Sequence, residues 1–377
     1  MKKLVLGSLV ATSLVGTAFA AFSLDDNNIN VVINANGSVR YDDNISQQPA
    51  GPGKVKDTIY EIDPGVEIVN ARGAPLQAKF DFTEAITRYT DNTNLDTNLA
   101  IFDLTTTYTD PKNTAKFSAG YHELNQDTPV SGVPGLLRRN ETVADAGDIY
   151  LINDKSKFGI DANLDNTKYK AAGLANSDIY AVPLTYYYNV SGKLDATLGV
   201  RYRKTDLSGG QPSYTDTYYN IGLTGDFNPK LTGSITVGLN EHRGEFTALS
   251  NGNSTSVGLD SNFTWNYSEI TQYTLGVSND FGAAASGQEQ QTLAINAGAQ
   301  TQLISQVLVG SANVSYSIIN YSGPRVDDYW SSTLALKYLL SKTWSVSASY
   351  KFQNDASNAD GSSFADNTYA LIVSLTF

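Results

Sequence analysis

The sequence predicts an all-β chain: a transmembrane antiparallel up-and-down β-barrel of about eighteen strands, with sixteen as the alternative count. Three observations predict it. Apolar and polar residues alternate with period two along segment after segment, very short turns take turns with longer polar loops, and aromatic residues recur at one end of the strands.

The alternation is clearest where the sequence ends. Tyr369, Leu371, Val373, Leu375 and Phe377 share one side of an extended strand, and Ala370, Ile372, Ser374 and Thr376 the other. Upstream, Trp344, Val346, Ala348, Tyr350 and Phe352 interleave with Ser345, Ser347, Ser349, Lys351 and Gln353. In a soluble sandwich the apolar row would meet a core; in a membrane barrel it meets lipid. Charge placement favours lipid. Almost every charged strand residue falls on the polar row, and a charge facing lipid at mid-depth would cost about 2–4 kcal/mol. Tyr108, Tyr188, Phe227, Tyr267, Tyr338 and Phe377 gather at one depth, as an interfacial girdle does and a sandwich has no reason to do.

In chain order, Met1-Lys2-Lys3 is a basic n-region, Leu4 to Val15 an apolar h-region and Ala18-Phe19-Ala20 a small-x-small cleavage site. Residues 1–20 therefore read as a signal peptide and 21–377 as the barrel domain. Later windows never approach the ~18 continuous apolar residues of a spanning helix. Strands are expected near 29–41, 58–70, 76–89, 95–108, 114–125, 143–154, 157–168, 178–190, 194–205, 214–227, 231–246, 255–267, 271–280, 290–302, 306–320, 328–340, 343–354 and 367–377. Tight turns such as Asp110-Pro-Lys-Asn113, Asn153-Asp-Lys-Ser156, Ser191-Gly-Lys193, Asn228-Pro-Lys230, Ser268-Glu269 and Ser341-Lys342 join every second pair. An even count puts both strand ends on the short-turn side, with turns periplasmic and loops extracellular.

Composition agrees. The chain has 23 Tyr, 14 Phe and 31 Gly and no cysteine, so neither disulfides nor thiolate metal sites hold it together. Its net charge of -12 excludes nucleic acid as a partner and suits acidic surface loops. No cofactor or metal site is expected.

The terminal Tyr369, Leu371, Val373, Leu375 and Phe377 are similar to the C-terminal signal that outer-membrane barrels present to their assembly machinery. Tyr41-Asp-Asp-Asn-Ile45, Tyr329-Trp-Ser-Ser-Thr-Leu-Ala-Leu-Lys-Tyr338 and Ser341-Lys-Thr-Trp-Ser-Val-Ser-Ala-Ser-Tyr350 resemble the putative beta-barrel porin family 2, over about residues 29–377. The resemblance implies a cell outer membrane location of Gram-negative type and an association with exopolysaccharide or exosortase systems. It implies no catalytic residues. The partners it implies are outer-membrane lipid and lipopolysaccharide and the barrel assembly machinery; a homo-oligomer is compatible with it.

A barrel of this size encloses an aqueous channel. Strand parity puts Arg40, Lys79, Asp81, Lys116, Asp161, Asp195, Arg201, Arg203, Asp260, Lys337 and Lys351 on the lumen row, and Glu61, Asp63 and Glu67 on it as well, mixed in sign with acids and bases in balance. The function expected is therefore passive diffusion of small hydrophilic solutes, neutral or weakly cation-preferring. Arg201 and Arg203 project together and can face acids across the pore. The longest loop, Gln126 to Thr142, is a candidate constriction with Arg138 and Arg139. Tyr187 and Tyr218 are candidates for a sugar track, which an exopolysaccharide outlet would need. An outer-membrane hydrolase is the remote alternative: His122 and His242 are the two histidines, and neither has a serine in a nucleophile-like setting nearby.

Overall fold

The computed structural model describes residues 22–24, 29–49, 51, 53–70, 75–126, 132–133, 135–211, 213–247 and 249–377. Residues 1–20, expected to be a signal peptide, and residues 127–131 and 134 of the longest loop lie outside them.

Eighteen long strands close into one barrel. They are β1 (Ile29–Asp42), β2 (Asp57–Asn70), β3 (Leu76–Tyr89), β4 (Thr97–Thr109), β5 (Asn113–Gln126), β6 (Leu137–Asn153), β7 (Ser156–Tyr169), β8 (Ser177–Ser191) and β9 (Leu194–Leu207). The second half comprises β10 (Tyr214–Asn228), β11 (Leu231–Arg243), β12 (Ser254–Asn266), β13 (Thr271–Ala283), β14 (Glu289–Ile304), β15 (Leu308–Tyr321), β16 (Val326–Leu339), β17 (Trp344–Ser357) and β18 (Phe364–Thr376). Each pairs antiparallel with its neighbours in sequence, and β18 pairs with β1 from Thr376 opposite Asn34 to Thr368 opposite Asp42. The amide of Ile33 donates to the Phe377 carbonyl at 2.8 Å and the amide of Phe377 returns the bond to Ile33 at 2.8 Å. Strands ~4.8 Å apart and tilted ~40° make a ring ~36 Å across.

Three of the short turns share one device. An Asp, Asn or Ser side chain at the turn's first residue accepts backbone N–H groups two and three residues on, standing in for a backbone bond. Asp110 Oδ1 accepts from Lys112 and Asn113 at 2.7 Å each, and Asn228 Oδ1 from Lys230 at 2.9 Å and Leu231 at 3.0 Å. Ser341 Oγ does the same for Thr343 at 3.1 Å and Trp344 at 3.0 Å. These bonds also hold the exposed Asp110 carboxyl below its usual range, led by the Asn113 side chain. At the β14–β15 turn, Ser305 and Gln306 take positive φ of 26° and 61°, the handed geometry that matches strand twist.

The outer face is greasy. Ile62, Leu198, Ile221, Val257, Leu334 and Leu371 are among its exposed side chains, whereas the opposite row is polar. Tyr108, Tyr188, Tyr267, Tyr338 and Phe377 are exposed at the turn end, and Phe227 stands among them, packed on Phe263. A second belt, not anticipated from the sequence, lies at the loop end: Tyr41, Tyr60, Tyr180, Tyr202, Tyr219 and Tyr369. Tyr180 and Tyr188 on β8 are ~26 Å apart along the strand at ~3.3 Å per residue, or ~20 Å in height at that tilt. Two belts at that spacing bracket a bilayer's apolar layer. Glu84 and Asp148 break the charge rule by pointing outward. Both stand near a belt, where an outward charge costs far less than at mid-depth.

The sixth strand departs from expectation by starting at Leu137 instead of near 143, so Arg138 and Arg139 are strand residues and not loop residues. The row assignment is testable on β18. Leu371→Arg, on the lipid row, is expected to abolish the fast-migrating folded band on unboiled gels; Ile372→Arg, on the lumen row, is expected to keep it.

Candidate pore and its constriction

All the lumen-row residues singled out by parity, Arg40 through Lys351, occupy the row opposite the exposed apolar side chains. Several are paired along the wall. Lys79 bridges Glu67 at 2.8 Å and Asp81 at 3.2 Å, and Lys157 meets Asp195 at 2.6 Å, with Asn189 on the other carboxylate oxygen at 2.9 Å. Glycines let polar and aromatic side chains lie flat against the wall. A Cβ at Gly258 would come 2.3 Å from the Tyr218 ring, and one at Gly159 would come 3.1 Å from the Tyr187 ring. Tyr218 is 5% exposed and the Arg201 guanidinium sits 5.4 Å from its ring centre, so its face is already covered. That removes it from a sugar track.

Arg201 and Arg203 are not free cations. Arg203 holds Asp216 at 2.8 Å and Asp280 at 2.9 Å, and donates to the Phe281 carbonyl at 2.9 Å; Arg201 holds Asp280 at 3.0 Å. Asn240 adds a bond to Asp280 at 2.7 Å. His242, 3% exposed, lies between the rings of Tyr214 and Phe281, with Nδ1 at 2.8 Å from Asp216 and Nε2 at 3.2 Å from Glu289. Two guanidiniums and one imidazole thus face three carboxylates. The second histidine, His122, meets Asp103 at 2.9 Å. Among the described residues each histidine is engaged by carboxylates, and no hydrogen bond joins either to a serine.

The network implies a bent wall. Asp280 on β13 is four strands from Arg203 on β9, ~19 Å along the sheet at ~4.8 Å per strand. Two side chains and a hydrogen bond span far less. The register supplies the reason: β12 and β13 pair only from Asn266 opposite Gln272 to Leu259 opposite Asn279, and above that point they part. The Asn279 side chain bonds the Val257 carbonyl at 2.6 Å where the ladder stops. The upper part of the β13–β14 hairpin therefore leans into the lumen. Its tip reaches further, with the Ala175 amide of the β7–β8 loop donating to the Ala285 carbonyl at 2.7 Å.

The longest loop comes to meet it. Its Gly132 carbonyl accepts from Arg325 Nη1 at 2.7 Å, and its Gly135 amide donates to Gln47 Oε1 at 2.9 Å. Arg325 joins β15 to β16, on the opposite side of the ring from β5 and β6. Gly132 follows Gln126 and precedes Leu137 by so few residues that it lies within ~20 Å of its own wall. The contact therefore falls near the barrel axis. Gly132 has a φ of 66° and no room for a Cβ, which would be 2.9 Å from Tyr321. Small apolar clusters fix the loops beneath: Ile45 with Ile59 and Tyr89, flanked by Leu95 and Leu136, and Ala284 with Ile319 and Tyr321. Arg325 stacks 4.4 Å over Tyr321 and forks onto Asp327. In the β1–β2 loop, burial raises the Asp43 carboxyl, yet bonds from Asn367 and Lys54 overcome it and leave a net lowering. Of the two arginines assigned to a constriction, Arg139 faces inward and pairs with Glu141 at 2.6 Å, while Arg138 faces outward toward Glu123 at 3.6 Å.

A closed eighteen-strand wall, greasy outside between two aromatic belts and wetted within, defines an outer-membrane barrel of the porin type. Residues 204–377, from the end of β9 through β18, match the family model described as "Putative beta-barrel porin 2". Among solved structures the fold is similar to OccK2 (OpdF) of Pseudomonas aeruginosa in complex with glucuronate, at TM-score 0.51 and 10% identity over 93% of this chain and 98% of that one. It is also similar to OccK9 (OpdG) of the same organism, at TM-score 0.50 and 11% identity over 93% and 99%. At these identities the likeness concerns the fold. No curated protein sequence matches the chain.

Breaking the network should be costly. Arg203→Gln leaves Asp216 and Asp280 without their shared cation, and loss of one partner of a buried pair typically costs about 3–5 kcal/mol. Urea unfolding of the refolded barrel is expected to show a clear drop in midpoint; Arg203→Lys should lose less.

Proposed function

We propose that the chain is a passive outer-membrane channel for small hydrophilic solutes, neutral or weakly cation-preferring. The observation that carries this reading is the polar lumen row under a mouth crossed by loops. Arg201 and Arg203 are neutralised within the network, so they lend little field to the pore. Glu61, Asp63, Asp145, Asp161, Asp260 and Asp355 face inward without an ion pair among the described residues, against Arg40, Lys116, Lys337 and Lys351. Six acids against four bases is a modest excess, and side-chain charge sets pore selectivity. The covered mouth and the masked Tyr218 ring favour small solutes over a polysaccharide strand.

Planar-bilayer recording tests this. Under a potassium chloride gradient the reversal potential is expected to have the sign of weak cation preference, and strong anion selectivity would refute the reading. Deleting residues 128–135, which leaves β6 intact, is expected to raise single-channel conductance; unchanged conductance would show that the loop does not set the narrow point.

A further inference from the structure

One charged patch faces away from the pore. At the loop end of β6 and β7, the Lys170 amide donates to the Arg138 carbonyl at 2.9 Å, and Asn140 stands opposite Lys168 one pair below. Residues two apart share a face, so Arg138, Lys168 and Lys170 form one outward cluster on adjacent strands. Lys168 and Lys170 are exposed and make no ion pair among the described residues. Arg138 touches Glu123 through Nη2, while its Nη1 is buried without an acceptor. Of the nearby outward charges, Lys204 pairs with Asp206 at 2.8 Å, while Asp178 accepts from the neutral Asn166 amide and keeps its charge. Three cations against the carboxylates of Glu123 and Asp178 leave a local excess of one positive charge on a chain of net charge -12.

Depth and surroundings say what such a cluster meets. Below it the same face passes through Thr142 and Asn166 to Ala144 opposite Leu164 and Ala146 opposite Ala162, a shallow apolar strip. Tyr180 of the upper aromatic belt is paired with Leu164. Lys168 is four residues above that level, ~13 Å along the strand and ~10 Å in height at the tilt above. That is the headgroup layer beyond the hydrocarbon. The buried, unanswered Nη1 of Arg138 beside two unpaired lysines asks for an anion with several oxygens, and guanidinium and ammonium groups together suit phosphate.

We propose that Arg138, Lys168 and Lys170 bind the phosphate of an outer-leaflet lipid, whose acyl chains lie on Ala144, Ala146, Ala162 and Leu164. The proposal rests on the membrane orientation given above, with the long loops on the outer side.

The test uses the full mature barrel refolded into phosphatidylcholine vesicles, then extracted in mild detergent for native mass spectrometry. Vesicles contain lipid A, dephosphorylated lipid A, or neither with inorganic phosphate added. Lipid A is expected to stay bound and to raise the temperature at which the folded band is lost, whereas the other two arms leave both unchanged. The K168Q/K170Q double variant, which keeps the Arg138–Glu123 contact, should lose most of the retained lipid A. K112Q/K230Q, on the turn side, should keep it. Equal retention by K168Q/K170Q, equal retention of the dephosphorylated lipid, or an equal shift with inorganic phosphate each overturns the proposal. A chain that does not enter vesicles at all would overturn the barrel reading as well, so the two failures are distinguishable.

Discussion

A polypeptide in hydrocarbon has no water to satisfy its amides, and the rest of this structure follows from that constraint. Eighteen strands pair in sequence order, and the junction of β18 with β1 removes the edges that an open sheet would leave in lipid. The hydrogen bonds between Ile33 and Phe377 close this junction at its lowest rung. Once the wall is closed, side-chain parity has two solvents to choose between. Leu, Val and Tyr take one and Asn, Ser, Asp and Lys the other. Connections on one side can shrink to a few residues because Asp110, Asn153, Asn228 and Ser341 complete their own turns. Longer connections on the other side are free to fold inward.

Much of this was legible in the sequence because it is local. Period two is written in each strand, and Asx and Ser turns depend on residues two or three apart. The strand count and the turn positions followed from those signals. The start of β6 was not legible, because Leu137-Arg-Arg-Asn-Glu-Thr142 lies above the apolar layer and carries no greasy row. Polar residues beyond the membrane look like loop even when they continue a ladder. Arg138 and Arg139 look alike as a pair, yet parity sends one outward and the other inward once the strand is known to include them. The network was harder still. Arg203, Asp216, His242, Asp280 and Glu289 sit on five strands, and no spacing in the chain announces that they meet. The upper aromatic belt has a local signal on two strands, where Tyr180 and Tyr219 each precede a lower ring, Tyr188 and Phe227, by eight residues on the apolar row.

The lumen is narrowed from two directions by different means. Gly132 and Gly135 of the loop between β5 and β6 lie over the mouth, held through their backbone atoms by Arg325 and Gln47. The β13–β14 hairpin bends in from the wall and is anchored by charge. Arg203 joins Asp216 and Asp280 under the hairpin while His242 joins Asp216 to Glu289. Buried charges of this kind cost desolvation, which their mutual pairing offsets. Glycines at 159 and 258 leave Tyr187, near the turn end, and Tyr218, beside the network, flat against the sheet, so neither ring takes width from the lumen.

The parting of β12 from β13 above Leu259 and Asn279 has a consequence for how the wall comes apart. Amide groups along the upper inner margins of these two strands lack a cross-strand partner, so thermal fluctuation has fewer bonds to break there than at any fully laddered junction. Isotope exchange into the folded barrel is expected to be fast at this seam, as it is above Ile101 and His122, where β4 and β5 also cease to pair. Forced unfolding is expected to start at one of these two seams, away from the β1–β18 junction where the two ends of the sheet are joined.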